Sequence, residues 1–386
     1  MNTWCILTGE YPPGCGGVGD YTLLLAEALA ASGAGVSVFR PPAAAAAPDV
    51  PGVSVVTLPD RFGGASRAEL DRVLDGSRMR VLVQYVPNVF GMRGLNVPWC
   101  RWLLHRARRR GTDVRVMFHE PYFYFSWRRP HWNALAVGQR LMAGLLLRAS
   151  REIYVSTDSW RRYLGNLVPA GSPVPITLPI PSTVPRHSPD DRIRSRRAIL
   201  GLTGSRRVVG HFGTYGALIA PMLRERLVGL LTAESMACAV CIGDGSRDFV
   251  RDILERHPRL SGRVLAFGRM PGSEAAATIA ACDLLLQPYP DGVTTRRTST
   301  MAALLNGTPV VTTSGALTEP IWSTTQAVAM VPVGDTRSFV RTTRLLLANT
   351  TEQEALGRRG EATYRKHFSI EHTLTQLQGR FSGEAA

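Results

Sequence analysis

The 386 residues, 45% hydrophobic and 19% charged, supply material for two globular cores of ordinary size. No stretch reaches the roughly 20 uncharged apolar residues that a membrane span needs, and the longest aliphatic run, Ala134 to Leu147, is broken by Gln139 and Arg140. The formal charge of +15, carried almost wholly by arginine with Lys366 as the one lysine, suits partners that bear phosphate. The basic residues are spread from Arg40 to Arg380 without an interleaved aromatic motif or zinc-finger spacing, which argues against nucleic acid as that partner.

Met1-Asn2-Thr3-Trp4 carries no basic region and Cys5 to Thr8 is too short an apolar core for a secretory signal, so the expected location is the cytoplasm. Strands are predicted at Thr3–Leu7, Val36–Phe39, Val53–Leu58, Val81–Tyr85, Val114–Phe118 and Ile153–Val155. Helices are predicted between them at Tyr21–Ser32, Arg67–Leu74, Pro98–Arg109 and Trp132–Ala149, and Pro41 to Pro48 reads as a loop. This alternation implies a parallel, doubly wound sheet. Arg101, Arg106, Arg108, Arg109 and Arg110 close the third helix, where a solvated last turn suits the helix dipole. Phe123-Tyr124-Phe125-Ser126-Trp127-Arg128-Arg129 mixes aromatics with cations and reads either as a peripheral contact with the inner face of a membrane or as the wall of an acceptor site.

Ile180 to Asp191 is proline-rich and charged, as an interdomain linker should be, and places a boundary at 189/190. A second alternating series follows, with strands at Arg207–Phe212, Ala239–Ile242, Val264–Phe267, Leu284–Leu286, Pro309–Thr312 and Val328–Val331, and a helix at Met301–Asn306. Among six cysteines only Cys238 and Cys241 are closely spaced; they fall in a run that reads as a buried strand, and zinc would need a second pair, so no metal and no resident cofactor is expected. From Asp335 the pattern is helical, with Ser338–Ala348, Glu352–His367 and Glu371–Phe381. Two Rossmann-like halves in tandem imply a cleft between them.

Four segments carry chemistry. Glu10-Tyr11-Pro12-Pro13-Gly14-Cys15-Gly16-Gly17-Val18-Gly19-Asp20-Tyr21 joins the first strand to a helix, and such a glycine-rich turn lets backbone N–H groups and a helix N-terminus approach an anion; tight-turn geometry alone also explains it. Val116-Met117-Phe118-His119-Glu120 ends a strand where open α/β sheets bind ligands. There His119 either bonds a substrate hydroxyl or is a histidine satisfied by backbone, and Glu120 either binds an acceptor hydroxyl or caps local backbone. Val208-Val209-Gly210-His211-Phe212-Gly213-Thr214-Tyr215-Gly216 repeats the glycine-at-strand-end pattern. In Asp291-Gly292-Val293-Thr294-Thr295-Arg296-Arg297-Thr298-Ser299, two guanidinium forks and two hydroxyls precede a helix and suit a diphosphate; capping by Thr298 or Ser299 with solvated arginines is the alternative. Asp283 reads as a strand-edge residue.

Tyr11-Pro12-Pro13, the Gly16-Gly17-Val18-Gly19 turn and the helix ending in Ala28-Leu29-Ala30-Ala31-Ser32-Gly33 together resemble the opening of glycosyltransferase family 4, a family of retaining enzymes. The resemblance extends from Glu10 to about Asp335. It implies the α/β fold called GT-B, two Rossmann-like domains facing across a cleft: 1–189 for the acceptor, 190–350 for a nucleoside-diphosphate sugar, and 351–386 as helices returning to the first domain. By this likeness Gly16 and Gly17 sit against the donor diphosphate and the acceptor, Asp20, Tyr21 and Glu120 face the acceptor, and His119 and Asp291 are catalytic. Gly213, Thr214, Arg296, Arg297, Thr298 and Ser299 hold the donor phosphates, while Gly243, Phe267, Gly268 and Arg269 lie near the nucleotide base. The family's arginine and lysine after the second glycine turn are replaced by Ala217-Leu218-Ile219-Ala220-Pro221, and its two glutamates eight positions apart are missing. Asp291 most resembles the first of these, and Ala302 or Ser299 stands where the second belongs. The implied reaction is metal-independent sugar transfer to a hydroxyl of a small molecule, glycan or lipid-linked acceptor, with a nucleotide-sugar epimerase or a catalytically degenerate binding subunit as alternatives.

Overall fold

The computed structural model describes residues 3–378 apart from 15, 92–93, 124 and 126–130. Most of the aromatic and cationic stretch 123–129, and the predicted helical residues 379–381, therefore lie outside the described residues. The chain divides into two units, one made of residues up to Pro179 together with those from Thr373, the other of Ile180–His372.

The first unit is a seven-stranded sheet of order β3-β2-β1-β4-β5-β6-β7. Its strands are β1 (Thr3–Thr8), β2 (Gly35–Arg40), β3 (Val53–Thr57), β4 (Arg80–Tyr85), β5 (Asp113–Phe118), β6 (Glu152–Val155) and β7 (Ile176–Thr177). All pairs are parallel, with Leu7 opposite Phe39 on one side and Val83 on the other. Helices α1 (Gly17–Ala31), α2 (Gly64–Leu74), α3 (Val97–Arg110), α4 (His131–Ala149) and α5 (Asp158–Gly165) link them. Central parallel strands are covered on both faces, which is why β1 buries four consecutive apolar side chains from Trp4 to Leu7. The Asn96 side chain caps α3 by accepting from Trp99 N–H, and Gly111 ends it in the left-handed region. The arginine cluster there is not uniformly solvated: Arg106 is buried and pairs with Asp71 and Asp75 of α2 and its cap.

The second unit is a six-stranded parallel sheet of order β10-β9-β8-β11-β12-β13. It comprises β8 (Arg207–Phe212), β9 (Ala237–Ile242), β10 (Val264–Gly268), β11 (Leu284–Gln287), β12 (Val310–Ser314) and β13 (Ala329–Pro332). Helices α6 (Pro189–Thr203) to α9 (Gly272–Ala281) precede β11, with α7 at Ile219–Ala233 and α8 at Ser246–Arg256; α10 (Thr298–Leu305), α11 (Pro320–Thr325), α12 (Thr336–Ala348) and α13 (Thr350–His367) follow. Its faces carry separate cores, one around Met301, Trp322 and Phe368, the other around Leu223, Phe249 and Phe339. Cys238 and Cys241 are buried within β9. Asp283 is an internal brace, accepting Val208 N–H at 2.7 Å and pairing with Arg196 at 3.0 Å. Among the described residues no helix is long and apolar enough to cross a membrane.

The division falls at Pro179/Ile180 and not at 189/190, because the proline-rich stretch is fastened to the second unit. Ile180 N–H donates to Thr295 O at 3.1 Å, Ser182 N–H to Tyr364 Oη at 3.1 Å, and His187 N–H to Asn306 Oδ1 at 2.8 Å. Pro189 then opens α6, with Asp190 and Asp191 in its first turn. α13 likewise belongs to the second unit, and only residues of α14 (Ile370–Gln378) from Thr373 onward join the first, where Arg115 Nη1 donates to Leu377 O at 3.2 Å.

The β8 and β9 ends close on each other without side chains. Gly243 has φ +114°, and a Cβ there would stand 2.1 Å from Gly213 O, a strained backbone combined with a backbone clash. Gly243→Ala is expected to cost about 3 kcal/mol or more, seen as a lower unfolding midpoint by calorimetry; an unchanged midpoint would contradict this packing.

Candidate functional site

Parallel strands all end on one edge of their sheet, and loops diverge where the strand order reverses, leaving a crevice. In the first unit that reversal lies between β1 and β4, in the second between β8 and β11.

The glycine turn of the first unit follows β1, with Gly16 as the cap of α1 and no side chain of its own to supply an acceptor. The Glu10 carboxylate lies beside it, with Oε2 2.1 Å from where a Cβ on Gly16 would be. A carboxylate of the chain therefore already occupies the helix start at which Gly16 and Gly17 were expected to meet phosphate, and two anions there repel. Burial, then Glu120, then Asp20 push the Glu10 carboxyl above its usual range, and the nearby Gly19 amide opposes them. Three carboxylates are thus brought into one electrostatic neighbourhood.

His119 follows β5 and is locked from several sides. Its N–H donates to Tyr85 O at 3.0 Å, its carbonyl accepts from Trp160 Nε1 at 2.7 Å and Ser156 Oγ at 3.2 Å, and its ring Nε2 lies 2.7 Å from Gln84 Oε1. An amide oxygen only accepts, so Nε2 carries the proton. Tyr21, expected to face an acceptor, is instead buried and meets the His119 ring edge-on at 5.4 Å and 71°. It shares the inward stripe of α1 with Leu25 and Leu29, one helical turn apart each time, and so supports the histidine. Asp20 is exposed and Glu120 half-buried.

In the second unit, Gly213 ends β8 beside the start of α10. A Cβ on Gly213 would stand 3.8 Å from both Cβ and Oγ of Ser299, so Gly213 brings bare backbone to face the Ser299 side chain. Tyr289 Oη ties down this corner, bonding Ser299 Oγ at 2.8 Å and Thr300 Oγ1 at 2.9 Å, and the Arg297 guanidinium lies 4.4 Å over the Tyr289 ring. No side chain caps α10, and Arg297 stands at its cap position with Arg296 before it. Thr298 and Ser299 are half-buried and Thr214 is exposed. The structure therefore brings together Gly213, Arg297, Thr298 and Ser299 at the β8/β11 reversal.

Asp291 behaves differently. Its carbonyl accepts from Leu317 N–H at 2.9 Å, and Gly292 (φ +88°) lies so close to the chain after β12 that a Cβ would be 2.4 Å from Gly315 N. The residue is fixed by main-chain packing and its side chain is exposed. Two residues with no assigned role matter more. Glu319 is buried and accepts from Thr295 N–H and Thr295 Oγ1, each at 2.6 Å, and from Trp322 Nε1 at 3.2 Å, bracing the loop that carries Arg296 and Arg297. Its signal was its place as the cap immediately before Pro320 of α11. His211, buried on β8, is the other.

At the β9 and β10 ends, Gly243 N–H donates to Gly268 O at 2.8 Å and Gly268 N–H to Ser246 Oγ at 3.0 Å. Phe267 is half-buried and Arg269 exposed, while Arg247, not foreseen, lies alongside Gly268, 3.1 Å from where a Cβ would be.

Residues 228–379 match the model of a family described as glycosyl transferase-like. Solved structures align over nearly the whole chain. Anabaena HepE in complex with UDP gives a TM-score of 0.70 at 16% identity, covering 99% of this chain and 100% of that one. Sucrose-phosphate synthase from Thermosynechococcus elongatus gives 0.74 at 15%, covering 100% of both. WaaG, a glycosyltransferase involved in lipopolysaccharide biosynthesis, gives 0.65 at 16%, covering 98% and 100%. No curated protein matches the sequence. The fold is GT-B, two parallel-sheet Rossmann-like domains, with a glycosyltransferase-like region in residues 228–379.

Glu319→Gln keeps the shape but turns an NH₂ toward donors, and is expected to cost about 2–3 kcal/mol, read as a lowered calorimetric midpoint; a neutral outcome would contradict the bracing role. For Glu10 the folded carboxyl is raised, so its charged form opposes folding once pH rises through that value. Glu10→Gln should therefore be more stable than the parent at pH 7, with the gap closing below the ordinary carboxylate range, in unfolding measured at several pH values. A gap constant with pH would contradict the electrostatic cause.

Proposed function

We propose that the protein is a retaining glycosyltransferase, similar to family 4, that transfers a sugar from a nucleoside-diphosphate donor to an acceptor hydroxyl, and that its second unit holds the donor. The observation that carries this reading is the bare backbone of Gly213 facing the Ser299 side chain at the β8/β11 reversal, with Arg296 and Arg297 at the start of a helix whose cap residue makes no side-chain bond to it. A diphosphate needs concentrated positive charge and N–H donors in a site that admits backbone closely, and this corner supplies the guanidinium groups, the α10 N-terminus and the room. The nucleotide part extends toward the β9 and β10 ends, where Gly243 and Gly268 present bare backbone and Arg247 lies alongside Gly268.

Catalysis then rests on placement and on charge. As the bond between the sugar's anomeric carbon and the diphosphate oxygen breaks, negative charge grows on that oxygen, and fixed guanidinium groups stabilise the growing charge more than the starting state. The acceptor hydroxyl attacks from the face the diphosphate leaves, and its proton passes to the departing phosphate, so no protein nucleophile is consumed. His119, held as an Nε2–H donor to Gln84 and braced by Tyr21, belongs to the acceptor side with Asp20 and Glu120. Arginine does the phosphate work here, and the acid that would hold the nucleotide ribose is not among the residues that resemble the family. A catalytically silent nucleotide-sugar binder is the second reading, favoured by Ser299 and Ala302 standing where the family carries its second glutamate.

Arg297→Ala should weaken nucleoside-diphosphate binding by about ten- to a hundredfold, with Arg297→Lys intermediate, in titration calorimetry. Binding unchanged by Arg297→Ala would remove the diphosphate assignment. Transfer of labelled sugar to an acceptor mixture, compared with release of free nucleotide without acceptor, separates the transferase from the silent binder.

A further inference from the structure

His211 lies on β8 two residues before Gly213. Its buried ring meets Tyr215 edge-on at 5.0 Å, and its Nδ1 stands 2.8 Å from the carbonyl oxygen of Leu286 on β11. A carbonyl only accepts, so Nδ1 carries the ring proton and Nε2 is a bare acceptor. Burial brings the pKa down to about 4, so the ring is neutral near pH 7. Among the described residues Nε2 is buried and has no hydrogen-bond partner. A buried acceptor without a donor is unfavourable, and such a group in a ligand crevice is a place where a ligand supplies what the protein does not.

The position of Nε2 says what that ligand group is. The point where a side chain on Gly213 would begin lies 3.8 Å from Nε2 and 3.8 Å from Ser299 Oγ, and no heavy atom beyond the neighbouring residues is closer. The space is thus bounded by an acceptor on one side and, on the other, by a hydroxyl tied to Tyr289. An ionised phosphate oxygen cannot pair with Nε2, since both only accept; a hydroxyl can donate to it. We propose that His211 Nε2 accepts a hydrogen bond from a hydroxyl of the nucleotide sugar, on its ribose or on the transferred sugar, and so determines donor specificity beside the diphosphate. This rests on the donor assignment above. The phosphates then lie toward the arginines and the α10 amides, and a sugar ring attached to them presents its hydroxyl to the histidine.

The test uses the full chain with UDP, GDP, ADP and dTDP and their glucose esters, ranked by titration calorimetry. With the best pair, His211→Phe should bind roughly tenfold more weakly or worse, whereas His211→Gln, whose amide oxygen can stand where Nε2 stood, should keep most of the affinity. Loss already present with the bare nucleotide assigns the hydroxyl to ribose; loss confined to the glucose ester assigns it to the sugar. Phe and Gln variants that both bind like the parent, or that lose affinity equally, overturn the proposal. Should either variant fail to fold, the ¹⁵N resonance of Nε2 in the parent protein decides: it should move on adding the glucose ester, and a resonance that does not move overturns the proposal. If no compound of the panel binds the parent, the donor assignment itself fails, and this inference fails with it.

Discussion

The reversal of strand order between β8 and β11 is the constraint from which the proposed chemistry follows. All six strands of that sheet deliver their loops to one edge, and at the reversal two neighbouring loops leave in opposite directions and cannot cover the gap. What enters the gap is decided by what the loops omit. Gly213 and Gly243 contribute backbone only, and the close approach of Gly243 to Gly213 O tolerates nothing larger. The start of α10 fills the other side with hydroxyls and guanidinium groups, held in place by Tyr289 and, through Thr295, by Glu319.

The two units carry the same kind of glycine turn and use it differently. The Glu10 carboxylate lies beside Gly16 at the start of α1 in the first unit, an acidic neighbour to that helix N-terminus. α10 has no side-chain cap and is preceded by two arginines. A second anion is therefore repelled from one turn and attracted to the other. The carboxylates Glu10, Asp20 and Glu120 make this corner of the first unit acidic, the side on which the proposed acceptor hydroxyl would donate. That separation of charge is what a transferase with an anionic donor and a hydroxylic acceptor requires.

Much of the fold was legible because parallel strands buried on both faces read as short apolar runs: β1 to β6 and β8 to β13 each overlap a predicted strand, to within a residue or two at the ends. The two-residue β7 is too short to carry a pattern. Most of the helices around the second sheet were not anticipated. α9 consists largely of small buried residues without a polar face, so its periodicity is silent, and the start of α6 was hidden because Pro189, Asp190 and Asp191 suit a solvated linker as well as a helix N-terminus. The site was legible in its motifs and less so in its partners. Glycines and arginines announce themselves by type and spacing. The inward turn of Tyr21, the brace from Glu319, the approach of Glu10 to Gly16 and the bare Nε2 of His211 depend on contacts between residues distant in sequence or on which face of an element points inward.

The most direct measurement is a crystal structure of the complex with a nucleoside diphosphate. The account predicts phosphate oxygens within about 3 Å of the backbone N–H groups of Thr298 and Ser299 and of the Arg297 guanidinium. Phosphates seated at the start of α1, with the Glu10 carboxylate displaced, would contradict it.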